Sequence, residues 1–159
     1  MTQRIDHLKL VPTLTQKLSE LTFAVQKGTV EHSVLSLIEI RASQLNGCAF
    51  CLDMHIKQAK IHGERELRLH HLAIWRESNL FSARERAALE WTEALTKLSP
   101  HGVPDEIYDA VRAHFSEEET VYLTYMVMVI NAWNRGSIAF RSVPGSQDKA
   151  FGLDKANLS

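Results

Sequence analysis

The chain has 159 residues, with eighteen basic and nineteen acidic side chains and a formal charge of -1. That length suits one domain with a core of its own, and the balanced charge, with no basic stripe, argues against nucleic acid as a partner. Residues Met1 to Leu10 carry Arg4, Asp6, His7 and Lys9 and no apolar leader run, and the longest apolar stretch, Tyr122 to Ile130, is broken by Thr124 and too short for a bilayer. The expectation is a cytoplasmic protein with no membrane partner. Cys48 and Cys51 stand three residues apart. They close almost no loop and cannot staple a fold, so in a reducing compartment they point to redox or metal chemistry.

Helical periods dominate, and strand-like alternation is scarce, so the fold class is all-α, with about six to eight helices. A first helix is predicted from Thr13 to just before Gly28, with Leu14, Leu18, Leu21 and Val25 on its apolar face. A second runs from Glu31 to Leu45 and is stopped by Asn46-Gly47, residues that tolerate the left-handed conformation of a C-cap. A third starts at Cys48 and ends at Gly63, and a fourth covers Glu64 to Trp75. Ser82 with Glu85 forms a capping box for a fifth helix to about Leu98, and Pro104 opens a sixth that ends near Phe115. Ser116 with Glu119 forms a second capping box, opening a long helix to Phe140. Its Tyr122 to Trp133 section is apolar on most sides and is predicted to be the central, most buried helix and a source of oligomer contacts. The whole of 1–159 reads as one domain, and the tail 142–159 as either mobile or used against a neighbouring subunit.

On a regular third helix, Cys51 falls about 60° around the axis from Cys48, and His55 about 20° from Cys48 and 40° from Cys51. All three then share one strip, with His55 a turn beyond Cys51. The first turn of a helix favours negative charge through its unpaired N–H groups and dipole, which promotes the thiolate that attacks peroxides and disulfides. A neighbouring imidazole can take the thiol proton and return it to a leaving group, and the second cysteine can resolve the product as a disulfide. Two other uses stay open. Thiolates and imidazole also bind zinc, although Cys48, Cys51 and His55 are three ligands without a second Cys-x-x-Cys, and His62, His70 or His71 would have to complete the set. Reduced cysteines also pack as small hydrophobes.

The segment Arg41-Ala-Ser-Gln-Leu-Asn-Gly-Cys-Ala-Phe-Cys-Leu-Asp-Met-His55 closely resembles the core motif of AhpD-like alkylhydroperoxidases, in the carboxymuconolactone decarboxylase superfamily. The resemblance continues through Ala73-Ile-Trp-Arg-Glu77, Glu85 to Thr96 and Ile130-Asn-Ala-Trp-Asn-Arg135, so it spans about residues 30–141. It implies an all-helical trimer or hexamer with peroxidase or disulfide-reductase chemistry, a peroxide or disulfide as substrate and an external dithiol as reductant. It also implies that Cys48 and Cys51 are the redox pair and His55 the proton relay. The family's relay glutamate stands twelve residues before the first cysteine, where this chain has Ser36, and founding members place a histidine where this chain has Phe50. Both departures imply a weakened or altered relay. Glu39, three residues after Ser36 on nearly the same stripe, is the candidate replacement, against the ordinary reading of a solvated glutamate.

Trp75 and Trp91 read as core or interface anchors, and Asn131, Asn134 and Arg135 as structural. His32, His70, His71, His101 and His114 read as ordinary histidines. Nothing calls for a cofactor or a resident metal. Two competing functions remain. One is a decarboxylase or lyase, after which the superfamily is named and which needs no dithiol. The other is a non-catalytic oligomeric binding protein, to which Ser36 lends weight.

Overall fold

Residues 2–158 are described in a computed structural model of the chain, and they form nine α-helices and two short 3-10 helices, with no β-strand among them. The helices are α1 (His7–Leu10), α2 (Pro12–Gln26), α3 (His32–Asn46), α4 (Ala49–Ile61), α5 (Glu66–His71), α6 (Ala83–Thr96), α7 (Asp105–Arg112), α8 (Glu117–Phe140) and α9 (Asp148–Phe151). The 3-10 turns are Leu72–Glu77 and Leu153–Ala156. The all-α expectation holds; the helix count exceeds it because α1 and α9 are four-residue pieces. Among the described residues no helix is long and apolar enough to cross a membrane.

Local signals set the ends of the main helices. Both capping boxes form: Ser82 accepts from the Glu85 N–H while Glu85 accepts from the Ser82 N–H, and Ser116 and Glu119 repeat the arrangement. Each satisfies two N–H groups that a helix start leaves unpaired. Gly47 adopts φ 69° and closes α3, and the next N–H, that of Cys48, bonds back to the Ser43 carbonyl at 3.0 Å. Gly28 is required by close approach, since a Cβ there would lie 2.4 Å from the Tyr122 ring. The expected fourth helix breaks instead into α5 and a 3-10 turn at Leu72. The guanidinium of Arg86 on α6 takes the carbonyls of Trp75, Arg76 and Ser78, so that stretch of chain bonds to α6 rather than continuing its own ladder.

The centre of the fold is α3, not α8 as its apolar sequence suggested. Leu35 and Ile38 face a core built with Trp91, Val111, Leu123 and Met126. Leu37 and Ile40 face a second core built with Leu69, Leu72, Trp75 and Leu89. By contrast α8 leaves Val121, Tyr125 and Met128 exposed along one face. α2 also departs from expectation. Of its four predicted core residues only Val25 is buried, while Leu14 is 69% exposed. The helix turns a polar face inward instead, where Thr22 accepts from the Trp133 indole at 3.0 Å and donates to the Leu18 carbonyl. The C-terminal tail has contacts within its own chain. Leu153 and Ala156 are buried, and the turn they belong to packs on α4.

Candidate active site

The α3–α4 junction brings the chemistry together. Cys48 is not the first residue of a regular helix, as the wheel assumed, but the N-cap of α4, with extended backbone at φ -85° and ψ 92°. Its sulfur accepts from the Cys51 N–H at 3.2 Å, the bond an N-cap side chain makes to the third helical residue. Cys48 and Cys51 are joined in a disulfide, with Cα atoms 5.4 Å apart. Among the described residues no three His, Cys, Asp or Glu side chains cluster to hold a metal ion with the cysteines in this oxidised form.

Behind Cys51 lies a cavity of about 340 Å³. Cys51 and His55 line it, together with Glu39 from α3; Cys48 does not. Its apolar wall is Phe50 and Met54 from α4, Val129, Ile130 and Trp133 from α8, and Phe23 from α2. The inward polar face of α2 adds Thr15, Ser19, Thr22 and Gln26. The expected sharing of one face by Cys51 and His55 therefore holds, while Cys48 is turned toward the helix start.

Glu39 is buried rather than solvated. One of its carboxylate oxygens lies 3.5 Å from His55 Nδ1, and the other accepts from the Gln26 amide at 3.5 Å. Ser36 is half-buried and is not among the cavity's lining residues. One turn along α3 from Ser36 thus places a carboxylate beside the imidazole. The sequence reading passed over a second partner: Gln58 Oε1 lies 3.0 Å from His55 Nδ1. Both neighbours offer Nδ1 an oxygen acceptor, an arrangement that suits a neutral ring with its proton on Nδ1 and Nε2 unprotonated. Gln58 had a signal, being three residues from His55 on one helix face; Gln26 had none, since only the tertiary fold brings α2 to the site.

A buried polar network fixes the loop that carries Cys48. Asn46 donates to Asn131 and Asn134 at 3.0 and 2.9 Å, Asn134 donates to Ser43 Oγ at 3.1 Å, and Ser43 donates to the Glu39 carbonyl at 2.7 Å. Arg135 donates to Asn131 Oδ1 at 2.8 Å. These three α8 residues thus order the end of α3, the structural part expected of them. Trp75 and Trp91 are core anchors, with their indole N–H groups donating to Glu93 and to Thr124. The histidines at 32, 70, 71, 101 and 114 lie outside the cavity lining.

Fold and site together define a helical domain with a Cys-x-x-Cys disulfide at a helix start and a histidine one turn on. The chain belongs to the carboxymuconolactone decarboxylase family, whose model matches residues 12–94, and within it the AhpD-like group. It is 40% identical over 139 residues to the uncharacterized protein YdfG of Bacillus subtilis, which covers 87% of this chain and 95% of that protein. A crystal structure from Agrobacterium tumefaciens, of a protein of unknown function named as a candidate antioxidant defence protein AhpD, is 40% identical. It superposes with a TM-score of 0.87 over 90% of this chain and 98% of its own. An uncharacterized peroxidase-related protein of Ralstonia eutropha, with an AhpD core, shares the fold at 20% identity and a TM-score of 0.78 over 88% of this chain and 75% of its own.

Proposed function

We propose that this protein is a thiol-dependent peroxidase of the alkylhydroperoxidase type, in which Cys51 attacks, Cys48 resolves, His55 relays protons and Glu39 supports His55. The observation that carries the reading is that Cys51, His55 and Glu39 open on one cavity while Cys48, bonded to Cys51, does not. His55 Nε2 takes the Cys51 thiol proton. The thiolate attacks the nearer oxygen of a hydroperoxide, the O–O bond breaks, and the departing alkoxide takes a proton from the imidazolium to leave as an alcohol. Cys51 is then a sulfenic acid. Cys48 attacks its sulfur, water leaves, and the disulfide forms. An external dithiol supplies two electrons and two protons to reopen it, becoming a disulfide itself. Attack by that dithiol on the cavity-facing Cys51 sulfur expels Cys48, whose thiolate the Cys51 N–H and the α4 N-terminus stabilise.

The test is a thiol count on fully reduced protein before and after one equivalent of an organic hydroperoxide. The expected result is loss of two thiols per chain, with one internal disulfide and one equivalent of alcohol formed. Retention of both thiols under excess peroxide would overturn the reading.

A further inference from the structure

Cys48 and Cys51 are 2% and 3% exposed, so a molecule that reaches Cys51 must enter through the cavity. Two residues of the lining are also largely open to solvent, Phe23 at 60% and Phe151 at 56%, which places them at its mouth. Phe23 belongs to α2. Phe151, with Gln147, belongs to the C-terminal segment, beyond the stretch that the family model matches.

We propose that this C-terminal segment is the specificity wall of the site, with Phe151 at the mouth setting the girth of what reaches Cys51. The claim adds a selector to the peroxidase reading and rests on it for the identity of the natural substrate. The segment is secured to the same helix that carries Cys51 and His55. Lys57, two residues past His55, donates to Asp148 at 2.7 Å and to Asp53 at 2.9 Å, and Asp53 accepts the Gly145 N–H at 3.0 Å. Past Phe151, Leu153 and Ala156 are buried on α4. Phe151 is therefore held between an ionic anchor and an apolar one, both referenced to α4, and a shift of the segment moves the mouth relative to the reactive sulfur.

The chemistry of the rim defines the preferred guest. Phe23 and Phe151 put two aromatic rings at the rim, Phe50, Met54, Val129, Ile130 and Trp133 make the lining largely apolar, and Glu39, His55 and Gln26 form one polar cluster within it. A slender apolar body with one polar, reactive end fits that distribution. A guest with a bulky group next to the peroxide meets Phe151 first.

The experiment uses the full chain, reduced, with Phe151→Ala to widen the mouth and Phe151→Trp to narrow it. Phe151 is more than half exposed, so neither change removes a core side chain. Two ratios are read: oxidation by cumene hydroperoxide against hydrogen peroxide, and, in a Cys48→Ser background, alkylation of Cys51 by N-phenylmaleimide against iodoacetamide. The expected result is that both bulky-to-small ratios rise roughly tenfold in Phe151→Ala, the scale on which an apolar pocket discriminates, and fall in Phe151→Trp. Asp148→Asn, which loosens the ionic anchor, should move both ratios in the direction of Phe151→Ala. Alkylation ratios that stay constant across all three variants overturn the selector. Absence of any peroxide reaction in the unaltered protein would instead defeat the peroxidase reading, and the alkylation ratios would still decide the question of the wall.

Discussion

The carboxylate of Glu39 lies 3.5 Å from Nδ1 of His55, across the junction of α3 and α4 and inside the cavity that Cys51 lines. That contact orients the imidazole for its exchange of the thiol proton. Glu39→Gln keeps the shape and removes the charge, so it should slow peroxide-driven oxidation by about tenfold or more while the melting temperature stays close to wild type. Ser36→Glu should give no gain in rate, because position 36 does not line the cavity. Stopped-flow thiol oxidation with parallel thermal melts checks both. An unchanged rate in Glu39→Gln would remove Glu39 from the relay.

Gln58 makes a separate, spectroscopic prediction. With acceptors from Gln58 at 3.0 Å and Glu39 at 3.5 Å, neutral His55 is expected to carry its proton on Nδ1. The ¹⁵N shifts of its imidazole should report Nε2 as the unprotonated nitrogen. Gln58→Leu should reduce that tautomer's share and lower the rate. An Nε2-protonated ring in the wild-type protein would contradict the assignment.

Glu93 gives a prediction about stability. Burial alone would raise its carboxyl, but hydrogen bonds from Trp75, Arg76 and Arg41 outweigh that and hold it below the ordinary carboxylate range. The three donors stand at 2.8, 2.6 and 2.7 Å. Because the folded-state value lies below the unfolded value, the stabilisation is present above the ordinary glutamate range and is lost as pH falls through the lower folded value. Glu93→Gln should cost roughly 2 kcal/mol near neutral pH, and the difference from wild type should shrink in acid. Urea titrations at neutral and acidic pH measure it. A difference that grows in acid would refute the sign.

The reach of the sequence differed between the parts of the molecule. The capping boxes at Ser82 and Ser116 and the Asn46-Gly47 stop were readable because each is a local device whose partners lie within a few residues. Cys51 and His55 were readable for the same reason, being one turn apart. The inward polar face of α2 was not, because Leu14 and Leu21 mimic a core stripe, and only contact with Trp133 of α8 decides which face turns in. The tail's contacts with α4 were not readable either, because its anchors are sparse. It has two small buried patches and an ion pair between residues 91 apart, which no local pattern announces. The position of Cys48 was misplaced by treating an N-cap as a helical residue, which rotated its sulfur onto the face of the other two.

The exposed apolar residues bear on assembly. Leu10 and Leu14 lie open on α1 and α2, and Val121, Tyr125 and Met128 on α8. Apolar side chains left exposed on a small protein can be buried against another copy, and the expectation is a homo-oligomer. Light scattering at micromolar concentration should give a multiple of the 18.0 kDa chain mass. Met128→Glu should reduce the particle size with little change in helix content. An 18.0 kDa particle for the unaltered protein would exclude a homo-oligomer.

The cysteine roles can be separated by mutation. Cys51 faces the cavity beside His55, whereas the Cys48 sulfur is turned to the Cys51 N–H at the helix start. The N-terminus of α4 would stabilise a thiolate on either residue, so access from the cavity, rather than burial or the dipole, separates them. Cys48→Ser should therefore still consume one equivalent of hydroperoxide and stop at a sulfenic acid on Cys51, detectable by a dimedone adduct, because no second thiol is left to condense with it. Cys51→Ser should lose the fast reaction, leaving a Cys48 thiol that no cavity serves. His55→Ala should keep both thiols but react slowly near neutral pH and recover in part at higher pH, where the thiol ionises unaided. If Cys51→Ser reacts as fast as the unaltered protein while Cys48→Ser is inert, the two roles are exchanged. The attack then comes from the N-cap side, by a path that the cavity does not supply.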